Sequence, residues 1–183
     1  MISRLISFLI LIIFSPFLTF IALVIIIEDG SPFLFKQKRI GINNSQFWVY
    51  KFRTMKKDTP DIPTHMLNKD DNLFTSIGPI LRKLSIDELP QLINIMKGEM
   101  IFIGPRPALY NQHDLIEERN KVGVNELIPG ITGWAQINGR DELSIKEKVS
   151  MDKYYLENQS KILDIKILIR TISKVFKSEG VSV

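Results

Sequence analysis

The sequence predicts an α+β fold that is mainly helical: an N-terminal membrane helix, then a compact domain with a small β-hairpin and amphipathic helices. Three observations predict it. Residues 5–27 carry no charge. Residues 31–55 set alternating aromatic positions on either side of Gly41-Ile42-Asn43-Asn44. Beyond them, apolar residues recur at helical spacing in segments separated by Gly, Pro and Asn. A chain of 183 residues is long enough for one domain with a real core.

The apolar segment comes first. Residues 5–27 number 23, and about 20 suffice to cross a bilayer as a helix. Its length, the Glu28-Asp29 pair that follows and the lack of a small-x-small cleavage site argue against a cleaved signal peptide. Ser15-Pro16 lies near its middle. Pro16 has no N–H, and its ring clashes with the Ile12 carbonyl. The Ser15 hydroxyl can bond the freed backbone, which makes a bend tolerable in lipid. Such a segment either spans as a kinked helix or turns back as a re-entrant helix that enters and leaves one leaflet. Arg4 before it, with Lys36, Lys38 and Arg39 after it, suits both ends on the cytoplasmic side. The residues alone leave both paths open.

The hairpin follows. Phe33 and Phe35 alternate on its first strand, and Trp48, Tyr50 and Phe52 on its second. Lys51 and Arg53 lie on the opposite face from those aromatics, where they either reach a phosphate or are simply solvated. Residues 56–72, with Pro60 and Pro63, read as a surface loop. Its Asp58, Asp61, Asp70 and Asp71 lack EF-hand spacing and read as solvated. A short buried strand is predicted at 100–103. Helices are predicted over 75–84, over 87–97 closed by Gly98, over 111–121, over 144–158 with a Ser144–Glu147 capping box, and over 161–178. In the last helix Ile162, Ile165, Ile169, Ile172 and Phe176 form an apolar stripe, while Lys161, Lys166, Arg170, Lys174 and Lys177 are basic. Core packing is the simpler reading of that stripe, and contact with a membrane surface is the other.

Composition narrows the chemistry. The absence of Cys removes disulfides, thiolate zinc sites and cysteine catalysis together. A formal net charge of +4 is too small to predict nucleic-acid binding but suits an anionic membrane or phosphorylated substrates. His65 and His113 are isolated and read as structural. There is no Walker A loop and no GxGxxG.

Carboxylates, fixed turns and arginines remain. Ser85-Ile86-Asp87-Glu88 fits an S-x-x-E capping box. With Asp87 as the N-cap instead, Pro90 falls in the first turn, where it is tolerated. Either way Asp87 and Glu88 sit at a helix N-terminus, whose dipole favours the ionised form and keeps an Asp available as nucleophile or metal ligand. Gly104-Pro105-Arg106-Pro107 is a rigid turn displaying one guanidinium, a planar fork suited to a diphosphate. Asn138-Gly139-Arg140 places a second arginine after a flexible turn. Oxygen ligands without thiols suit a hard metal ion.

Together these blocks resemble the small monotopic phosphoglycosyl transferases of bacterial glycan assembly. The likeness runs over nearly the whole chain: Ser15-Pro16, Tyr50 to Met55, Leu81 to Leu92, Lys97 to Met100, Gly104 to Pro107, Pro129 to Arg140, Asp152 to Tyr155 and Leu163 to Lys166. It implies a re-entrant membrane helix over 1–30 and a cytosolic catalytic domain over 31–183, at the cytoplasmic face of the bacterial inner membrane. It implies transfer of a phosphosugar from a UDP-sugar to undecaprenyl phosphate, with Mg²⁺ as cofactor and UMP as product. An N-acetylated amino or diamino sugar is expected from the small members. Asp87 and Glu88 become the catalytic dyad and the metal ligands. Arg82, Arg106 and Arg140 are candidate phosphate clamps, beside Lys51 and Arg53. Downstream glycosyltransferases or a second copy of the chain are further conceivable partners. In this register Ser3 stands where family members usually carry an Asp, and the chain resembles the minimal catalytic unit without the extra membrane helices of the large members. The alternative from a different class is a non-catalytic membrane-bound polyprenyl-phosphate binder. The acidic pair argues against it, since anion binding gains nothing from two added negative charges.

Overall fold

The computed structural model describes residues 2–57, 59, 73–139 and 142–177. Helix α1, Ile2–Asp29, runs through Pro16 without interruption. The Ser15 hydroxyl donates to the Ile12 carbonyl at 2.8 Å, the acceptor that Pro16 cannot use. The expected repair is present, and the helical backbone is continuous through Ser15-Pro16.

One face of α1 is docked along most of its length. Before the proline, Ile10 and Leu11 pack on Phe47, Val49, Leu92, Ile95 and Met100. After it, Leu18, Ile21, Ala22 and Ile25 pack on Phe52 and Leu81. Positions 10/11, 18, 21/22 and 25 are separated by one or two helical turns and so share one helix face. Ile25 and Ile95 are fully buried, each worth about 1.5–3 kcal/mol relative to exposure. The opposite face, including Phe8, Leu9, Ile12, Ile13, Phe17 and Phe20, is exposed. The C-terminal end of α1 is tied to the domain by polar bonds. Glu28 accepts from the amide and hydroxyl of Ser76.

Strands β1 (Leu34–Ile40) and β2 (Gln46–Phe52) form the antiparallel hairpin. A 3₁₀ turn at Ile42–Asn44 joins them, with Asn43 and Asn44 at φ of 51° and 60°, a conformation Asn tolerates. Helix α2, Gly78–Lys83, comes next. The predicted helix over 87–97 divides in two. Ile86–Gln91 is a 3₁₀ helix that passes directly into α3, Leu92–Lys97, which ends at Gly98 in the left-handed region. Pro90 lies in the first half and has no N–H for an α-helical bond.

The remainder surrounds a two-stranded parallel sheet of β3 (Ile101–Ile103) and β4 (Gly130–Thr132). Helices α4 (His113–Lys121), α5 (Trp134–Ile137), α6 (Ile145–Glu157) and α7 (Lys161–Lys177) complete the fold. The predicted capping box is present at α6: the Ser144 hydroxyl accepts from the Glu147 amide at 3.3 Å, and the Glu147 carboxylate accepts from the Ser144 amide at 2.8 Å.

The preferred reading of α7 is corrected. Leu163 and Ile167 fill the core with Ile137 and Tyr155. Ile162, Ile165, Ile169 and Ile172 face outward, 81%, 58%, 62% and 50% exposed. The helix is apolar on two faces, and spacing alone does not say which one the core takes. The side chain of Phe176 lies outside the described residues.

Candidate active site

Asp87 and Glu88 sit on the 3₁₀ helix and are 8% and 9% exposed. Ser85 precedes them at φ 54° and gives no side-chain cap. The Ser85 capping box therefore does not form. Instead the left-handed Ser85 turns the chain between α2 and the 3₁₀ helix, and Asp87 and Glu88 lie in its first turn.

Two cations converge on one oxygen of Glu88. Lys51 Nζ lies 2.7 Å from Oε1, and Arg106 Nη2 lies 3.2 Å from the same atom. Lys51 comes from β2 and Arg106 from the turn after β3, so the hairpin and the parallel sheet meet at Glu88. Burial pushes the Lys51 ammonium below its usual range; Glu88 opposes that shift, and the neighbouring Arg106 adds to it. Arg82, on α2, donates from Nε to the Thr54 hydroxyl at 2.9 Å and lies over the Phe74 ring. Burial also lowers its pKa, against the opposing field of Asp87.

The turn carrying Arg106 is locked to β4. Gly104 donates to the Thr132 carbonyl at 2.8 Å, and Gly130 donates to the Pro105 carbonyl at 3.0 Å. A Cβ at Gly130 or at Gly133 would run into the Gly104 backbone. Only glycine permits this approach, which gives Pro129-Gly130-Ile131-Thr132-Gly133 a packing reason.

A cavity of about 580 Å³ opens beside the acidic pair. Glu88 and Arg106 line it, and Asp87 does not. Its apolar wall includes Leu92, Phe102 and, from α1, Ile10. Its polar wall includes Gln136, Thr171 and Lys174.

The structure thus brings Lys51, Arg82 and Arg106 around Asp87 and Glu88. It places Arg53 elsewhere, at the end of α1. There Nη2 donates to the Asp29 and Gly30 carbonyls at 3.1 and 2.8 Å and pairs with the Asp29 carboxylate. Arg140 and the loop residues Asp58, Asp61, Asp70 and Asp71 lie outside the described residues. Sequence reasoning missed Gln136 and Lys174 of the cavity, and also Arg119, which carries no motif signal.

Among the described residues no group of three or more His, Cys, Asp or Glu could hold a metal. Mg²⁺ is commonly held by one or two carboxylates, with substrate phosphates and waters completing its octahedron. The adjacent Asp87 and Glu88 fit that mode and no all-protein cage.

A mainly helical domain with an apolar N-terminal helix and a buried acidic pair ringed by cations has known relatives. The sequence profile described as bacterial sugar transferase matches residues 1–178, and the chain belongs to that family of enzymes. It is 45% identical over 167 residues to an uncharacterised sugar transferase, EpsL, of Bacillus subtilis, covering 91% of this chain and 81% of that one. It is 42% identical over 181 residues to the undecaprenyl-phosphate glucose phosphotransferase of Komagataeibacter xylinus, covering 92% of this chain and 34% of the relative. It is 40% identical over 184 residues to the UDP-glucose:undecaprenyl-phosphate glucose-1-phosphate transferase of Escherichia coli, covering 94% and 39%. The chain thus spans little more than a third of those last two relatives.

Proposed function

We propose that the chain transfers a phosphosugar from a UDP-sugar to undecaprenyl phosphate, with Asp87 as the nucleophile. The observation that carries this reading is the buried Asp87–Glu88 pair, with Lys51 and Arg106 on Glu88 and Arg82 in the field of Asp87, beside a cavity that Glu88 lines and that reaches the membrane helix. A carboxylate oxygen of Asp87 attacks the sugar-bearing phosphorus. The bond from that phosphorus to UMP breaks, UMP leaves, and an aspartyl phosphosugar remains. A phosphate oxygen of undecaprenyl phosphate then attacks the same phosphorus, and the Asp87 carboxylate is released unchanged. Two displacements keep the two polyanions from having to meet directly.

Lys51, Arg82 and Arg106 supply positive charge where the transferring phosphoryl group must sit. Glu88 is engaged by Lys51 and Arg106 on one oxygen, so its first role is to hold these cations in place. A monoester phosphate has a second pKa of about 6 and is mostly dianionic at neutral pH, so the acceptor needs no strong base. Mg²⁺, held by Asp87 or Glu88 together with the substrate, would neutralise the diphosphate and the departing UMP. The cavity wall formed by Ile10, Leu92 and Phe102 suits the first isoprene units of the acceptor.

The proposed setting is the cytoplasmic face of the inner membrane. Both halves of α1, on either side of Pro16, rest on the same domain. A straight spanning helix would carry one half away from it, so the docking favours the re-entrant path. The outward apolar faces of α1 and α7 are the surfaces proposed to contact lipid. The donor is proposed to carry an N-acetylated amino or diamino sugar. Release of UMP across a panel of UDP-sugars, with undecaprenyl phosphate and Mg²⁺, tests the reading. Sustained release that needs the acceptor, with at most one UMP per enzyme from the donor alone, supports it, and no release from any donor rejects it.

A further inference from the structure

The turn that presents Arg106 cannot hold itself. Pro105 and Pro107 have no N–H, so its carbonyls are its main handles. Four successive carbonyls are each taken by a different donor. Pro105 accepts from the Gly130 amide at 3.0 Å and Ala108 from the Ile40 amide at 2.9 Å. Between them, Arg106 accepts from Arg119 Nη1 at 2.8 Å and Pro107 from Arg39 Nη1 at 3.0 Å.

The handle on Arg106 itself is the most deeply built. Arg119, on α4, is buried, and its Nε and Nη2 both reach Oδ2 of Asp152 on α6, at 3.0 and 2.6 Å. Asp152 is 1% exposed. A guanidinium is a rigid planar fork. Fixing two of its nitrogens on Asp152 therefore fixes the direction in which the third, Nη1, points. An ion pair this far from solvent gives weak net stability against an apolar replacement, so specifying a geometry is the more economical account of it.

We infer that the Arg119–Asp152 pair is a positioning device for the proposed transfer: it orients the Arg106 backbone so that the Arg106 guanidinium meets Glu88 and the substrate phosphates. Neither residue lines the cavity or touches Asp87 or Glu88 among the described contacts; both act through Arg106. The inference rests on the proposed activity for its consequence, but its geometry stands apart from it.

The test uses Arg119→Lys in the full chain in lipid nanodiscs. Lysine keeps the charge opposite Asp152 but cannot reach two partners with a fixed fork. Removing the cation altogether, as in Arg119→Ala, strands a buried carboxylate and risks unfolding, so it is not the diagnostic variant. Asp152→Asn, which frees the fork but leaves a hydrogen-bond acceptor, is the second. A misplaced clamp commonly costs on the order of 100-fold in rate. Each variant is expected to lower kcat/KM for UMP release by at least about tenfold, and in an Arg106→Ala background by less than about twofold. That non-additivity is the signature of one residue acting through another. Equal losses in both backgrounds would overturn the inference. A second readout needs no turnover. The rate of phenylglyoxal modification, read by peptide mass spectrometry, should rise at Arg106 in both variants and stay unchanged at Arg82. An unchanged rate at Arg106, or an equal rise at both arginines, would overturn the positioning role. If the wild type released no UMP at all, the proposed activity would fail while this second readout still judged the geometry.

Discussion

Replacing Lys51 by Met probes the charge arrangement at Glu88 without touching the proposed nucleophile. Methionine is unbranched and flexible, and it fills much of the space of the lysine stem, so the main loss is the ammonium. That group lies 2.7 Å from Glu88 Oε1. A hydrogen bond to a charged partner contributes about 1.5–3 kcal/mol, and stripping a buried carboxylate of its only cation costs about 3–5. Arg106 remains 3.2 Å from the same oxygen, so the lower range applies. At about 2–4 °C per kcal/mol for a domain of this size, Tm should fall by roughly 3–12 °C. If the same charge serves the transferring phosphoryl group, kcat/KM should fall between about tenfold and a hundredfold, since 1.36 kcal/mol is tenfold in rate. Thermal melting and UMP release in one nanodisc preparation give both numbers. A variant within twofold of wild-type kcat/KM would refute the role of Lys51 at the site.

Further outcomes follow from neighbouring features. Burial holds Lys51 below its usual 10.5, so its pair with Glu88 is intact below that lowered pKa and lost as pH rises through it. The alkaline limb of kcat/KM should lie below pH 10.5 and move upward in Lys51→Arg, whose charge persists; an unmoved limb counts against Lys51 as its source. Between the lowered pKa and the ordinary one the unfolded chain binds more protons, so this residue's contribution to stability rises with pH in that window. Arg53→Met removes the bonds to the end of α1 and should cost about 1.5–3 kcal/mol of stability, with KM for the donor unchanged; a large rise in KM would restore Arg53 to phosphate binding. Chelation should abolish turnover and Mg²⁺ restore it, and full activity in excess chelator would exclude the metal. A cysteine at Ser3 should resist an impermeant thiol reagent outside intact cells. Labelling there would show a spanning helix, and Pro16→Leu, which removes the clash with Ile12, should promote it.

The elements that the sequence predicted well had strong local signals. The capping box at Ser144 and Glu147 and the Asn-rich turn of the hairpin are chemical statements about a few adjacent residues, and both are found. The parallel sheet of β3 and β4 was not foreseen as a pair, because three-residue strands have no measurable period and their partner is far along the chain. The site divides in the same way. Asp87, Glu88, Arg82 and Arg106 stood in recognisable blocks. That Lys51 and Arg106 share one oxygen of Glu88 depends on how the hairpin packs against β3, which no local pattern encodes. Lys51 and Arg53 looked equivalent on one strand face, yet one meets Glu88 and the other the end of α1. The two-faced α7 shows the same limit: its amphipathic character is legible in the residue spacing, but which stripe the core selects is not.

Covalent attachment at Asp87 is the central claim. Intact-mass analysis of the wild-type chain mixed with its UDP-sugar, without undecaprenyl phosphate, tests it most directly. The account predicts an added mass equal to the phosphosugar, mapped to Asp87, discharged by the acceptor and absent from Asp87→Asn, which keeps size but lacks the anionic nucleophile. Asp87→Asn should also lose nearly all turnover while melting within a few degrees of wild type. Turnover by the wild type with no adduct, together with substantial activity in Asp87→Asn, would contradict it.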